Sequence, residues 1–196
     1  MYPPSGANVT GLFLDLPDLS VKCLELLREI VAPARTVAIL WDPATGPVPL
    51  DAVSRATAML GLASEVVAVS RLDELEKAFG RFGQARPDGL LMLSSPVVGG
   101  NPQRVAALAL AHRLPAITLF AEFAQSGGLI SYGPDVTVMY RQAGALARKL
   151  MQGQSPAEIP IERPARFQLI ANLRTAKAID ATLPTSILLR VDEVIE

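Results

Sequence analysis

The chain has 196 residues, half of them apolar, with 18 Lys and Arg against 19 Asp and Glu and a formal net charge of -1. That is enough apolar material for a sizeable core in one domain, or one domain plus a fragment, and the charge balance excludes a basic footprint for nucleic acid or an anionic membrane surface. Apolar runs all break well short of the roughly 18 residues of a membrane span, and the single cysteine, Cys23, excludes an internal disulfide and a Cys-rich metal site.

The first residues, Met1-Tyr2-Pro3-Pro4-Ser5-Gly6, offer neither a basic n-region nor an apolar h-region, so no signal peptide is expected in this chain. Leu19, Cys23, Leu26, Leu27 and Ile30 then recur at helical spacing and predict a first helix. From Arg35 onward, short β-branched runs alternate with longer amphipathic ones, the pattern of βαβ units on a parallel sheet. Strands are expected at residues 36–40, 65–69, 89–93, 116–120 and 129–132.

Helix starts are marked between them. Asp73 with Glu76 resembles a capping box, and Asn101-Pro102 offers an N-cap followed by proline at the first helical position. A long helix is expected from Asp135, since Val136, Met139, Tyr140, Ala143, Ala147, Leu150 and Met151 share one face and Gly153 follows as a C-cap. Pro156, Pro160 and Pro164 around Ile159 and Ile161 favour an extended crossing and mark a boundary. A strand at 167–171, a short helix at 175–179 and a terminal helix at 186–195 complete the expectation.

Ligands of open parallel sheets bind beyond the carboxyl ends of the strands. The residues there are polar: Trp41-Asp42, Ser70-Arg71, Ser94-Ser95, Glu122, and Tyr132-Gly133-Pro134-Asp135. An aromatic ring, hydroxyls and carboxylates on one rim suit a small polar solute, one with an amino group included. The same residue types also end strands because they make turns and cap the next helix, and Trp41 is equally at home in a core. Both readings stand at this point.

Enzymatic constellations are absent from the pattern. His112, the lone histidine, falls late in a helix, where contact with the helix C-terminus explains it better than catalysis. Cys23 lies on an apolar stripe, as a buried thiol would. Gly99-Gly100 and Gly127-Gly128 fit neither a dinucleotide fingerprint nor a phosphate loop, and a phospho-acceptor domain would need an aspartate where Ser94 and Ser95 stand. No catalytic residue, no metal ligand and no cofactor is expected.

Asn8-Val9-Thr10-Gly11, Lys22 with Leu24-Glu25-Leu26-Leu27, Gly127-Gly128-Leu129-Ile130-Ser131-Tyr132-Gly133-Pro134-Asp135, Ala176-Lys177-Ala178 through Pro184, and the closing Asp192-Glu193-Val194-Ile195-Glu196 form a series. It resembles the ABC-transporter substrate-binding family that includes tryptophan/tyrosine-type binding proteins. The resemblance implies a type I periplasmic-binding-protein-like fold: α/β lobes, each a doubly wound, flavodoxin-like parallel sheet, closing on a solute between them. It also implies no enzymatic activity, an ABC permease as partner, and a periplasmic or extracytoplasmic place for the full-length family.

On that resemblance, residues 1–34 are a crossover segment and first helix, 35–133 the ligand-binding lobe, and 134–196 a return into an incomplete other lobe. The family's export signal and most of its first lobe would precede Asn8. Trp41, Asp42, Ser94, Ser95, Glu122, Tyr132 and Asp135 are the expected ligand-binding residues, with Asp135 pairing to an amino group. Two departures stand out: Asp180 where the family has glycine, and an inserted Ala7. The competing expectation is a stand-alone sensor or interaction domain that forms a homodimer through its uncovered apolar face.

Overall fold

Consecutive buried positions make the first strand. In β1 (Thr36–Trp41), Val37, Ala38, Ile39 and Leu40 are all buried, so both faces of this strand are covered and helices must lie on each side of the sheet. The computed structural model describes residues 8–196 and shows that arrangement. Helix α1 (Leu16–Ile30) packs on β3 (Gly89–Met92) and β4 (Ala116–Thr118) and against α2 (Val48–Met59). The opposite face holds the aromatic core, where α3 (Leu75–Ala85) and α5 (Pro102–Ala111) bring Phe79, Phe82, Val105 and Ala109 onto Ala38, Leu40, Leu90 and Met92.

Phe79 and Phe82 are fully buried and meet edge to face, with centroids 5.9 Å apart. Removing either ring would cost about 3–5 kcal/mol. On the α1 side, Cys23 is buried and donates to the backbone carbonyl of Tyr132 at 3.5 Å; burial pushes its thiol up to about 12, so it is inert.

The remaining elements are β2 (Ala63–Ala68), α4 (Pro96–Gly99), α6 (Ala121–Gln125), β5 (Ile130–Pro134), α7 (Val136–Met151), β6 (Phe167–Asn172), α8 (Leu173–Ala178), α9 (Thr185–Leu188) and β7 (Glu193–Ile195). The sheet order is β2-β1-β3-β4-β5-β6-β7. Strands β1 to β5 pair in parallel in the doubly wound order. Strand β6 runs the other way beside β5: Asn172 N–H donates to Leu129 O at 2.9 Å and Asp135 N–H to Arg166 O at 3.0 Å, so the register falls as the partner's rises. β7 then pairs in parallel with β6.

Several expectations change. The terminal helix at 186–195 is replaced by the single turn of α9 and by β7, because residues 193–195 find β6 as partner and Asp192 accepts the Leu169 N–H at 2.8 Å. The capping box belongs to Arg71 and Glu74, whose carboxylate accepts from Ser70 N–H at 2.9 Å and Arg71 N–H at 3.3 Å; Asp73 pairs with Arg71 and Glu76 with Arg104. Helix α5 does begin at Pro102, but the Asn101 side chain donates back to Val97 O instead of capping it. Pro156–Glu158 is a 3-10 turn within the proline-rich crossing.

The chain divides into two units. The larger comprises Leu16–Gly133 and Gln168–Glu196; the smaller, among described residues, comprises 8–15 and Pro134–Phe167. Pro134–Phe167 and Gln168–Glu196 thus fall in different units, and α1 falls in the larger one. In the smaller unit a parallel bridge joins Leu12 to Glu162, Thr10 Oγ1 donates to Ile159 O at 3.0 Å, and Arg163 pairs with Asp15 at 3.1 Å. Helix α7 buries only Leu146 there. Asp180, the departure from glycine, takes φ 57° and pairs with Arg113, so the tight left-handed turn is kept without glycine. Ala7 lies outside the described residues.

Candidate functional site

The carboxyl ends of β1, β3, β4 and β5 build one rim of the larger unit. The register pairs Leu40 with Met92, Leu91 with Ile117 and Thr118 with Ser131, so Asp42, Ser94, Phe120 and Gly133 stand in succession along it. This rim is narrow. A Cβ on Gly133 would lie 1.8 Å from the Leu119 carbonyl oxygen, so β4 and β5 approach here as only glycine allows.

Trp41 is half-buried, and its Nε1–H donates to Gly46 O at 3.1 Å, folding the β1 exit loop under the indole. Asp42 is 4 % exposed and its Oδ1 accepts the Ala44 N–H at 3.0 Å, starting the 3-10 turn Pro43–Thr45. Ser95 is buried, and its Oγ accepts the Val98 N–H at 3.1 Å to cap α4. Ser94 and Tyr132 are half-buried and Glu122 is exposed. Tyr132 sits one residue back from the rim, inside β5.

Asp135 belongs to the smaller unit. Its carboxylate caps α7 through the Val138 N–H at 3.1 Å, and Arg166 Nε lies 3.9 Å away. A cap of this kind contributes about 1 kcal/mol. Three of the sequence-selected polar groups thus serve backbone donors first.

Sequence reasoning missed Phe120. Read as the end of a strand, it instead N-caps α6 at the rim, half-buried beside Gly99, with its ring 3.8 Å from where a Cβ there would be. The usable signal was its parity with Thr118, which places both on one face. Also missed was a cleft of about 340 Å³ at the β2 exit, where Ser70 meets Glu74, Lys77 and Arg81. There the Lys77 to Arg81 spacing of one helical turn was readable.

No group of three or more His, Cys, Asp or Glu among the described residues could hold a metal ion. None of their helices is long and apolar enough to cross a membrane.

A doubly wound lobe with a polar carboxyl rim, joined to a smaller unit by chain crossings, defines the periplasmic-binding-protein-like class. The family model described as "ABC transporter substrate binding protein" matches residues 2–195, and the chain belongs to that family. Among solved structures it is similar to a conserved domain protein from Vibrio cholerae, with TM-score 0.88 and 18% identity over 98% of this chain and 64% of that one. It is also similar to an ABC domain in complex with L-Trp from Streptococcus pneumonia, with TM-score 0.82 and 20% identity over 97% and 66%. A third is a periplasmic solute-binding protein from Actinobacillus succinogenes with bound D-allose, at TM-score 0.63 and 14% identity over 88% and 64%. The chain thus spans about two thirds of the length of each. No curated protein matches.

Proposed function

We propose that this chain forms one lobe of the solute receptor of an ABC importer, capturing a small polar, amino acid-like solute and passing it unchanged to a permease outside the cytoplasm. The observation that carries this reading is the family match along nearly the whole chain, which gives the polar rim of the larger unit a purpose beyond capping. Ser94, Glu122, Tyr132 and the Trp41 ring are the rim groups through which it would touch solute. Asp42 and Ser95 would hold the loops that present them.

Titration calorimetry of the two-lobed protein against amino acids, nucleosides and small carboxylates tests it. Saturable binding of one class, weakened by Tyr132→Ala, is expected; heat from none of them sinks the reading.

A second reading rests on the smaller unit, where Tyr140 is 76% and Met151 88% exposed along α7. We infer that a second copy covers that face. Light scattering behind size exclusion distinguishes the two, since a dimer that dissociates on Met151→Lys favours self-association and a monomer ends it.

A further inference from the structure

At the opposite edge of the larger unit, a second hollow lies between the carboxyl ends of α3 and α5, just ahead of β3 and β4. This cleft, of about 440 Å³, is lined by Phe82, Gly83, Arg86, His112, Arg113 and Leu114 among others. Three departures from local preference converge on it. Arg86 closes α3 in the left-handed region at φ 50°, and Arg113 follows α5 at φ 52°. Glycine takes that backbone freely and an L side chain does not. The third is Gly83, inside α3, where alanine would make the better helix.

Gly83 has a steric reason. A Cβ there would stand 2.6 Å from His112 Nδ1, so the bare backbone admits the imidazole to the cleft, where it stacks on Phe79 with centroids 6.2 Å apart. Arginine near a helix C-terminus also suits the helix dipole. That accounts for the charge but not for the left-handed backbone, which an arginine one turn earlier would avoid.

The charges around the cleft are unbalanced. Arg113 pairs with exposed Asp180, while Arg86 has no ion pair among the described residues. Asp88, the nearest carboxylate in sequence to Arg86, is spent elsewhere: it accepts from the N–H groups of Arg35 at 2.7 Å and Thr36 at 2.8 Å and from the Thr36 hydroxyl at 3.0 Å.

We propose that this cleft binds a small oxyanion, a phosphate or carboxylate, between the guanidinium groups of Arg86 and Arg113 and the imidazole N–H of His112. A guanidinium offers five donors in a fork that matches such anions, so Arg113 keeps donors after pairing with Asp180. Imidazole offers an N–H in either ionisation state. The site lies at the sheet edge away from the rim and stands whether or not the rim binds solute.

The test is a nitrogen-15 NMR titration of the whole chain with inorganic phosphate and, separately, citrate, against sodium chloride at equal ionic strength. Saturable shifts confined to Arg86, His112 and Arg113 with either oxyanion are expected. Arg86→Gly relieves the strained backbone, so it should melt no lower than the parent while weakening the anion by about tenfold or more. Gly83→Ala, which pushes the imidazole aside, should weaken it without loss of the fold. Shifts that sodium chloride reproduces, that never saturate, or that persist with equal midpoint in Arg86→Gly overturn the proposal.

Discussion

The two edges of the parallel sheet use their polar residues in opposite ways. At the carboxyl edge Asp42 and Ser95 are buried, and each accepts a backbone N–H that opens the next turn. At the amino edge Arg86 and Arg113 are exposed on left-handed backbone that they make harder to hold. A polar residue at a strand exit is thus claimed first by the orphan donors of the following helix, and its presence there is weak evidence for a ligand. A residue that makes its own backbone less favourable and, like Arg86, has no ion pair among the described residues is better evidence.

The largest effect expected from breaking this contrast is at Gly133. Gly133→Ala sets a Cβ against the Leu119 backbone, and a loss of about 3 kcal/mol or more, seen as a fall of roughly 6–12 °C in thermal melts, is expected. A melt within a degree of the parent would mean that the rim is looser than described.

Next comes Asp42. Asp42→Ala should cost about 1–2 kcal/mol in urea unfolding, while Asp42→Asn, which keeps the accepting oxygen, should stay within about 0.5 kcal/mol. If both lose equally, the charge and not the cap matters. Asp135 admits the same pair of substitutions, with Asp135→Ala expected near 1 kcal/mol.

Asp88 gives the amino edge a pH dependence. Hydrogen bonds from the Arg35 N–H, then from the Thr36 N–H and hydroxyl, hold its carboxyl below the usual range. A folded value below the unfolded one gives stability that is complete above the unfolded value of about 4 and disappears as pH falls through the folded value. Because this carboxylate is exposed, Asp88→Asn should cost only about 1 kcal/mol at pH 7. The gap between the two proteins should close below about pH 4; a gap that widens there contradicts the assignment.

The smallest effect is at Asp180. Asp180→Gly relaxes the left-handed turn but removes the exposed pair with Arg113, so stability should stay within about 0.5 kcal/mol of the parent. A larger loss would show that the pair, not the backbone, governs that corner.

Strands β1, β3, β4 and β5 were legible because each lies inside the sheet and is buried along most of its length, as Thr36–Trp41 is, whereas the edge strand β2 buries only Val67. Residues 193–195 have no such burial and become β7 only because β6 supplies a partner, a non-local fact. The apolar pattern of β6 likewise does not say which sheet it joins. At the candidate site, positions were readable and roles were not. Asp42, Ser94 and Ser95 do stand at strand exits, but whether an oxygen faces a backbone N–H or solvent depends on loop geometry that the residue types leave open. Phe120 was lost to a boundary error of two residues.

The antiparallel return of β6 has a consequence for synthesis. Ribosomes deliver β5 long before Gln168–Glu196, so a nascent chain that has reached α7 exposes the flank of β5 as an unpaired edge until β6 emerges to cover it. The last segment of the chain is therefore also the lobe's protection against sticking to its neighbours on the polysome.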